Sequence, residues 1–214
     1  MFETISLSAA IIVFMASPLA YDLRLVRVEK PHERFTELFA LTAVAILNTW
    51  FYWHFGFDKQ LLFMSLTVFV PLGITSFVLA YYRDMRFLFT LCFVMLLCYI
   101  PLLGASWACS LLSIEPTQYF IFFEIGFFLV VLLFVHFVMR GRYTELQESI
   151  TEGWDAFCLV PLFGVACIMF IMGSTNSLGQ QVASLIGAIV VVLLVAVAGY
   201  FFWKNSTQAR SEER

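Results

Sequence analysis

Residues 119–142 read YFIFFEIGFFLVVLLFVHFVMRGR, and this stretch decides the fold. From Tyr119 to Met139 the only ionisable side chains besides the tyrosine are Glu124 and His136; Arg140 and Arg142 then close the run. About 20 mostly apolar residues in a helix cross a hydrocarbon core of about 30 Å. A chain in hydrocarbon must satisfy its own backbone hydrogen bonds, which selects the helix. The run reads as a membrane span that ends in two cations.

The same pattern recurs in both directions. Seven spans are predicted, at about 5–23, 35–55, 60–82, 86–112, 117–139, 155–173 and 181–203. Val190–Val197 is β-branched but lacks the polar alternation of a half-buried strand, so it reads as helix in lipid. The composition agrees: 62% hydrophobic, 13% charged and a mean hydropathy of +0.91, against about 25% charged residues in a soluble domain. The fold class is all-α, a polytopic membrane protein whose seven transmembrane helices form one domain over residues 1–203, with a short tail at 204–214.

Orientation follows from the basic residues. Eleven of the twelve lysines and arginines fall in gaps on one side, and only Lys59 falls on the other. Arg24, Arg27, Lys30 and Arg34 follow the first span; Arg83 and Arg86 follow the third; Arg140 and Arg142 follow the fifth. Cationic loops stay cytoplasmic, so the N-terminus is expected outside and the C-terminal tail in the cytoplasm of a cell membrane. Met1-Phe2-Glu3-Thr4 lacks the basic n-region of a signal peptide, so residues 1–20 are expected to remain as the first span. The outer gaps, Gly56–Lys59, Ile114–Thr117 and Gly173–Gln180, are too short to form a domain. A small or peptide ligand from outside has to reach the helices themselves.

Ionisable groups inside a membrane are functional candidates because burying them costs a few kcal/mol. Glu124 is the main one: it suits a cationic ligand, a proton relay or a hydrogen bond to a neighbouring helix. Asn48 sits at comparable depth and precedes Trp50, Tyr52, Trp53 and His54, aromatic residues of the kind that belt a membrane interface. Asn48, His54, Trp107 and Glu124 are the candidate ligand-binding residues, all in the outer half. His136 shares a face with Glu124, too sparsely provided for a proton pump. Cys92, Cys98, Cys109, Cys158 and Cys167 all fall in spans and read as packing residues. The three histidines have no metal-ligand spacing, so no metal and no cofactor is expected. Pro71, Pro101 and Pro161, each followed by a nearby glycine, are expected to kink three spans.

On the inner side, Tyr143, Leu146, Ile150 and Trp154 form an apolar stripe, while Glu145, Glu148, Glu152 and Asp155 form an acidic one. This predicts an amphipathic helix over 143–155 along the cytoplasmic surface. Its acidic face suits a basic segment, including the chain's own first loop.

Three inner segments resemble the multi-spanning input regions of bacterial GHKL-type sensor histidine kinases, the class that includes quorum-sensing peptide receptors. They are Tyr82-Arg83-Asp84-Met85-Arg86-Phe87-Leu88-Phe89, Arg140-Gly141-Arg142-Tyr143, and Gly153-Trp154 leading to Pro161. The resemblance implies a signal-sensing module that passes a conformational change to a cytoplasmic output domain or partner, and it implies a homodimer. A histidine kinase part would lie beyond Arg214, so the chain itself is not expected to be an enzyme. Arg83, Arg86, Arg142 and Trp154 are the candidate inner coupling surface. The alternative is a small transporter or channel built on Glu124 and Asn48. A retinal pump is excluded because residues 181–203 contain no lysine. Nucleic acid is excluded as a partner by the net charge of −3 and the lack of a basic soluble patch.

Overall fold

The computed structural model describes residues 2–27, 30–64, 67, 70–112, 119–150 and 154–172, with isolated residues between 186 and 197. The helices are α1 (Phe2–Asp22), α2 (Pro31–Met64), α3 (Val70–Val78), α4 (Met85–Leu111), α5 (Tyr119–Phe134), α6 (Arg140–Ser149) and α7 (Trp154–Met172). A π turn, Val135–Met139, joins α5 to α6 without a break. The protein is all-helical; among the described residues the only β pairing is one bridge, Val26 to Ala80. The predicted seventh span lies outside the described residues except for isolated helical positions such as Ile186 and Leu193.

α4 is the central helix. Asp84 caps its start, with extended backbone and a side chain that accepts from the Arg86 amide at 2.9 Å, as a helix N-terminus requires. Its apolar residues run all round, as in a helix buried on every side, and α1, α5 and α7 pack against it. α5 differs: it buries only Glu124 and Phe128 and exposes Phe122, Val130 and Leu133. Among the described residues, two helical stretches, Met85–Leu111 and Tyr119–Ser149, are long and apolar enough to cross a membrane.

α2 and α3 depart from the predicted boundaries. Helix continues past the predicted turn at Gly56–Lys59 to Met64. Yet Thr67 Oγ1 donates to Asn48 Oδ1 at 3.2 Å. A straight helix from Asn48 to Met64 would rise about 24 Å, and three more residues span only about 11 Å. The chain therefore bends between Asn48 and Thr67. Pro71 is the second residue of α3 as described, and the residues just before Val70, on which its predicted kink depends, lie outside the described residues. Pro101 and Pro161 do lie inside α4 and α7.

The predicted amphipathic helix over 143–155 is shorter and differently placed. α6 stops at Ser149, Ile150 is extended, and Trp154 opens α7. The apolar stripe is turned inward: Tyr143, Ile150 and Trp154 are buried. The acidic stripe does meet the first loop, through an ion pair between Glu148 and Arg24; Glu152 lies outside the described residues.

The three basic gaps converge at one end of the bundle. α1 ends in a Schellman turn: Leu25 N donates to Ala20 O at 2.8 Å and Arg24 N to Tyr21 O at 3.1 Å. This puts Arg24 at φ 55, a position glycine usually fills. Beyond it, Arg27 N donates to Leu79 O at 2.7 Å and Tyr81 N to Leu25 O at 3.2 Å. The first basic gap is thereby stitched to the third, and Arg24 with Glu148 joins both to the fifth.

Candidate functional site

Two polar assemblies lie within the apolar bundle, connected by α1 and the α5–α6 rod. In the first, Glu124 is fully buried and its Oε1 accepts from Ser8 Oγ of α1 at 2.9 Å. Its Oε2 has no hydrogen-bond partner. Asn48 is also fully buried; Thr67 serves its Oδ1, and its Nδ2 is unpartnered. Ser17 Oγ donates to Glu37 Oε1, which sets an antiparallel α1–α2 register and puts Asn48 at the level of Ser6 to Ser8. Gly104 against Phe127 sets the α4–α5 register, which puts half-buried Trp107 level with Glu124. Asn48, Trp107 and Glu124 thus occupy one layer. His54 does not: it lies six residues beyond Asn48, about 240° around the helix, exposed, with its ring tilted against Trp50 at 4.4 Å between centroids.

Further along, Asp22 Oδ2 accepts from His136 Nδ1 at 3.0 Å, and Arg140 stands 3.3 Å from Asp22 Oδ1. Ser8 with Glu124 and Asp22 with His136 advance together along the two chains, so α1 and α5 run parallel. Fourteen residues separate the contacts on α1 and twelve on α5, equivalent rises of about 20 Å.

The second assembly is at the basic end. Gln147, on α6, is fully buried, and its Nε2 donates to Leu23 O at 3.3 Å and Thr90 Oγ1 at 3.0 Å. Thr90 Oγ1 gives its one proton to Arg86 O at 2.7 Å. Tyr143, 2.9 Å away, must then donate to Thr90. The hydroxyl of Thr90 is saturated, with one donor and two acceptor sites in use. Arg86 Nη1 donates to Gln147 O at 3.1 Å, its Nε to Asp84 Oδ2 at 2.7 Å, and its guanidinium covers Tyr82 at 4.1 Å. Burial alone would raise the Asp84 carboxyl, but hydrogen bonds from the Arg86 side chain and amide, with its charge, hold it below the ordinary value. Burial pushes the Tyr143 phenol up. Phe89 stacks on Phe157 at 4.6 Å and meets Trp154 edge-on at 5.4 Å, which carries the assembly to α7. Trp154 Nε1 donates to Ile150 O at 2.9 Å.

Of the predicted coupling residues, Arg86 and Trp154 are in this assembly, while Arg83 and Arg142 are at the surface. Gln147, Thr90 and Asp22 are the residues that sequence reasoning passes over. The signal for Gln147 is its place: four residues after Tyr143, it is a polar side chain on the apolar face. Among the described residues, no group of three His, Cys, Asp or Glu is gathered to hold a metal ion. Comparison with protein-family models, curated proteins and solved structures finds no match to the chain.

Proposed function

We propose that the chain is a membrane-embedded signal-sensing module of seven spans, with its basic end in the cytoplasm. A ligand or proton acting at the layer of Glu124 and Asn48 changes helix packing there. The α5–α6 rod carries the change to the Thr90–Gln147 assembly and on to a cytoplasmic output domain or partner. Kinship with the input regions of GHKL-type sensors, and a homodimer, belong to the same proposal. The exposed apolar face of α5 supports membrane burial, since soluble monomers seldom present large contiguous apolar patches. Convergence of the three basic gaps at one end supports the topology.

One observation carries the signalling reading: Glu124 and Gln147 lie on one unbroken helical rod, the first bonded to α1 and the second to the turn that ends it. Their separation along the rod is about 35 Å. Spin labels at His32→Cys and Glu145→Cys, both exposed positions at the basic end, test it in a Cys167→Ser background. Glu124→Gln and Glu124→Ala are expected to shift the distance distribution between the labels in lipid discs. Identical distributions in all three proteins would sink the coupling.

A second reading, a small transporter or channel, draws on the unpartnered Glu124 Oε2 and Asn48 Nδ2 in one layer. Cation or proton flux into sealed vesicles, abolished by Glu124→Gln, would favour it over the sensor.

A further inference from the structure

A crevice lies apart from the Glu124 layer. It is narrow and partly open, between α1, α2, α3 and α4, with about 50 Å³ of interior space. It extends along α1 from Ile12 to Ala20, about 12 Å. Two features of its wall define an occupant. The chain is 18% aromatic, yet among the described residues none of the side chains lining the crevice is aromatic; Leu41, Leu72, Val94 and Met95 are typical of them. Such a wall offers no ring for stacking and packs best against a saturated chain. Among the described residues, the only charged group in the lining is the Glu37 carboxylate, and no basic side chain accompanies it.

Ser17 Oγ donates to Glu37 Oε1 and fixes the carboxylate beside the aliphatic wall. An ionised carboxylate has about four acceptor sites, so this one bond leaves most of its capacity unused. A carboxylate beside apolar surface favours a cationic, multiply donating head and repels an anionic one. We propose that this crevice binds an amphiphile with an aliphatic chain and an ammonium head, the chain against α1 to α4 and the head on Glu37. A free alkylamine and the amine headgroup of a phospholipid share this chemistry. The site does not depend on what binds at Glu124.

The test uses the full chain in phosphatidylcholine discs and a long-chain alkylamine with a diazirine in mid-chain. Photolabelling is expected on peptides covering 12–20 and 72–79. An unlabelled alkylamine should compete, whereas the matching alcohol and alkyl sulfate should not. Glu37→Gln keeps the shape and is expected to weaken labelling at least about tenfold, equivalent to about 1.4 kcal/mol. Leu41→Phe narrows the crevice with Glu37 intact and is expected to weaken it too; size-exclusion profiles check both variants for folding. Unchanged labelling in Glu37→Gln, equal competition by the alcohol, or labelling spread over the α5 surface would each overturn the proposal. Phosphatidylethanolamine discs then identify the source. Reduced labelling there marks a lipid head as occupant, and undiminished labelling marks a free amphiphile; either result supports the ammonium site.

Discussion

Arg24 reaches Glu148 across the basic end while its own backbone stands at φ 55. The ion pair and a cation–π contact with Tyr81, 5.5 Å from the ring centre, hold a non-glycine residue in a left-handed turn. Left-handed backbone costs roughly 1–2 kcal/mol for a side-chain-bearing residue, and a partly exposed ion pair returns only about 0–1. Arg24→Gly is therefore expected to leave thermal stability unchanged or raise it by up to about 1 kcal/mol. Arg24→Ala keeps the strain, loses the pair, and is expected to melt lower than Arg24→Gly. Equal melting of the two variants would show that the turn is unstrained.

Thr90 is the node of the buried assembly, since its hydroxyl serves Tyr143, Gln147 and Arg86 at once. Thr90→Val preserves the shape and leaves two buried donors without an acceptor. Each such group costs about 1–3 kcal/mol, so a loss of about 2–4 kcal/mol is expected in denaturant or thermal unfolding. Thr90→Ser should keep most of the stability. If valine proves as stable as serine, the bonds around Thr90 do not hold the basic end together.

Close approach of α4 and α5 requires Gly104. A Cβ there would stand 3.1 Å from the Phe127 ring. Gly104→Val is expected to cost about 1–3 kcal/mol by overpacking, and adding Phe127→Leu should restore part of it. A double mutant no better than Gly104→Val alone would place the clash elsewhere.

Stability should respond to pH at both extremes. Asp84 has its carboxyl held below the ordinary value, chiefly by Arg86 against the opposing effect of burial. Its contribution is present above the unfolded value of about 3.9 and is lost as pH falls through the lower folded value. Tyr143 is held up by burial. Above about pH 10 the unfolded phenol ionises and the folded one does not, so stability falls as pH rises further. Asp84→Asn should flatten the acid limb and Tyr143→Phe the alkaline limb in melts across pH. A limb that persists in its variant belongs to other groups.

The helical class and the positions of the buried polar groups are legible in the sequence for one reason: a polar side chain in a long apolar run stands out. That is how Glu124 and Asn48 are found, and both are fully buried. His54 is a different case. Its six-residue distance from Asn48 already puts it on another face, and the aromatic cluster around it obscures this. Gln147 hides because a glutamine among glutamates looks like more polar surface, and only the tertiary packing of α6 on Thr90 and Leu23 distinguishes it. The register of α1 against α5 is likewise a tertiary fact, since Ser8 and Glu124 are 116 residues apart.

The π turn at Val135–Met139 sets the phase of everything after it. A π turn carries an added residue relative to an α-helix, and each residue of helix is about 100° of rotation. Removing one residue here would let α5 run into α6 as plain α-helix and swing the α6 side chains about a quarter turn. Tyr143 and Gln147 would leave Thr90, and the glutamate face would rotate toward the bundle. The orientation of the basic end is thus set by a count of residues in one turn, and a one-residue deletion would misalign it while leaving both helices whole.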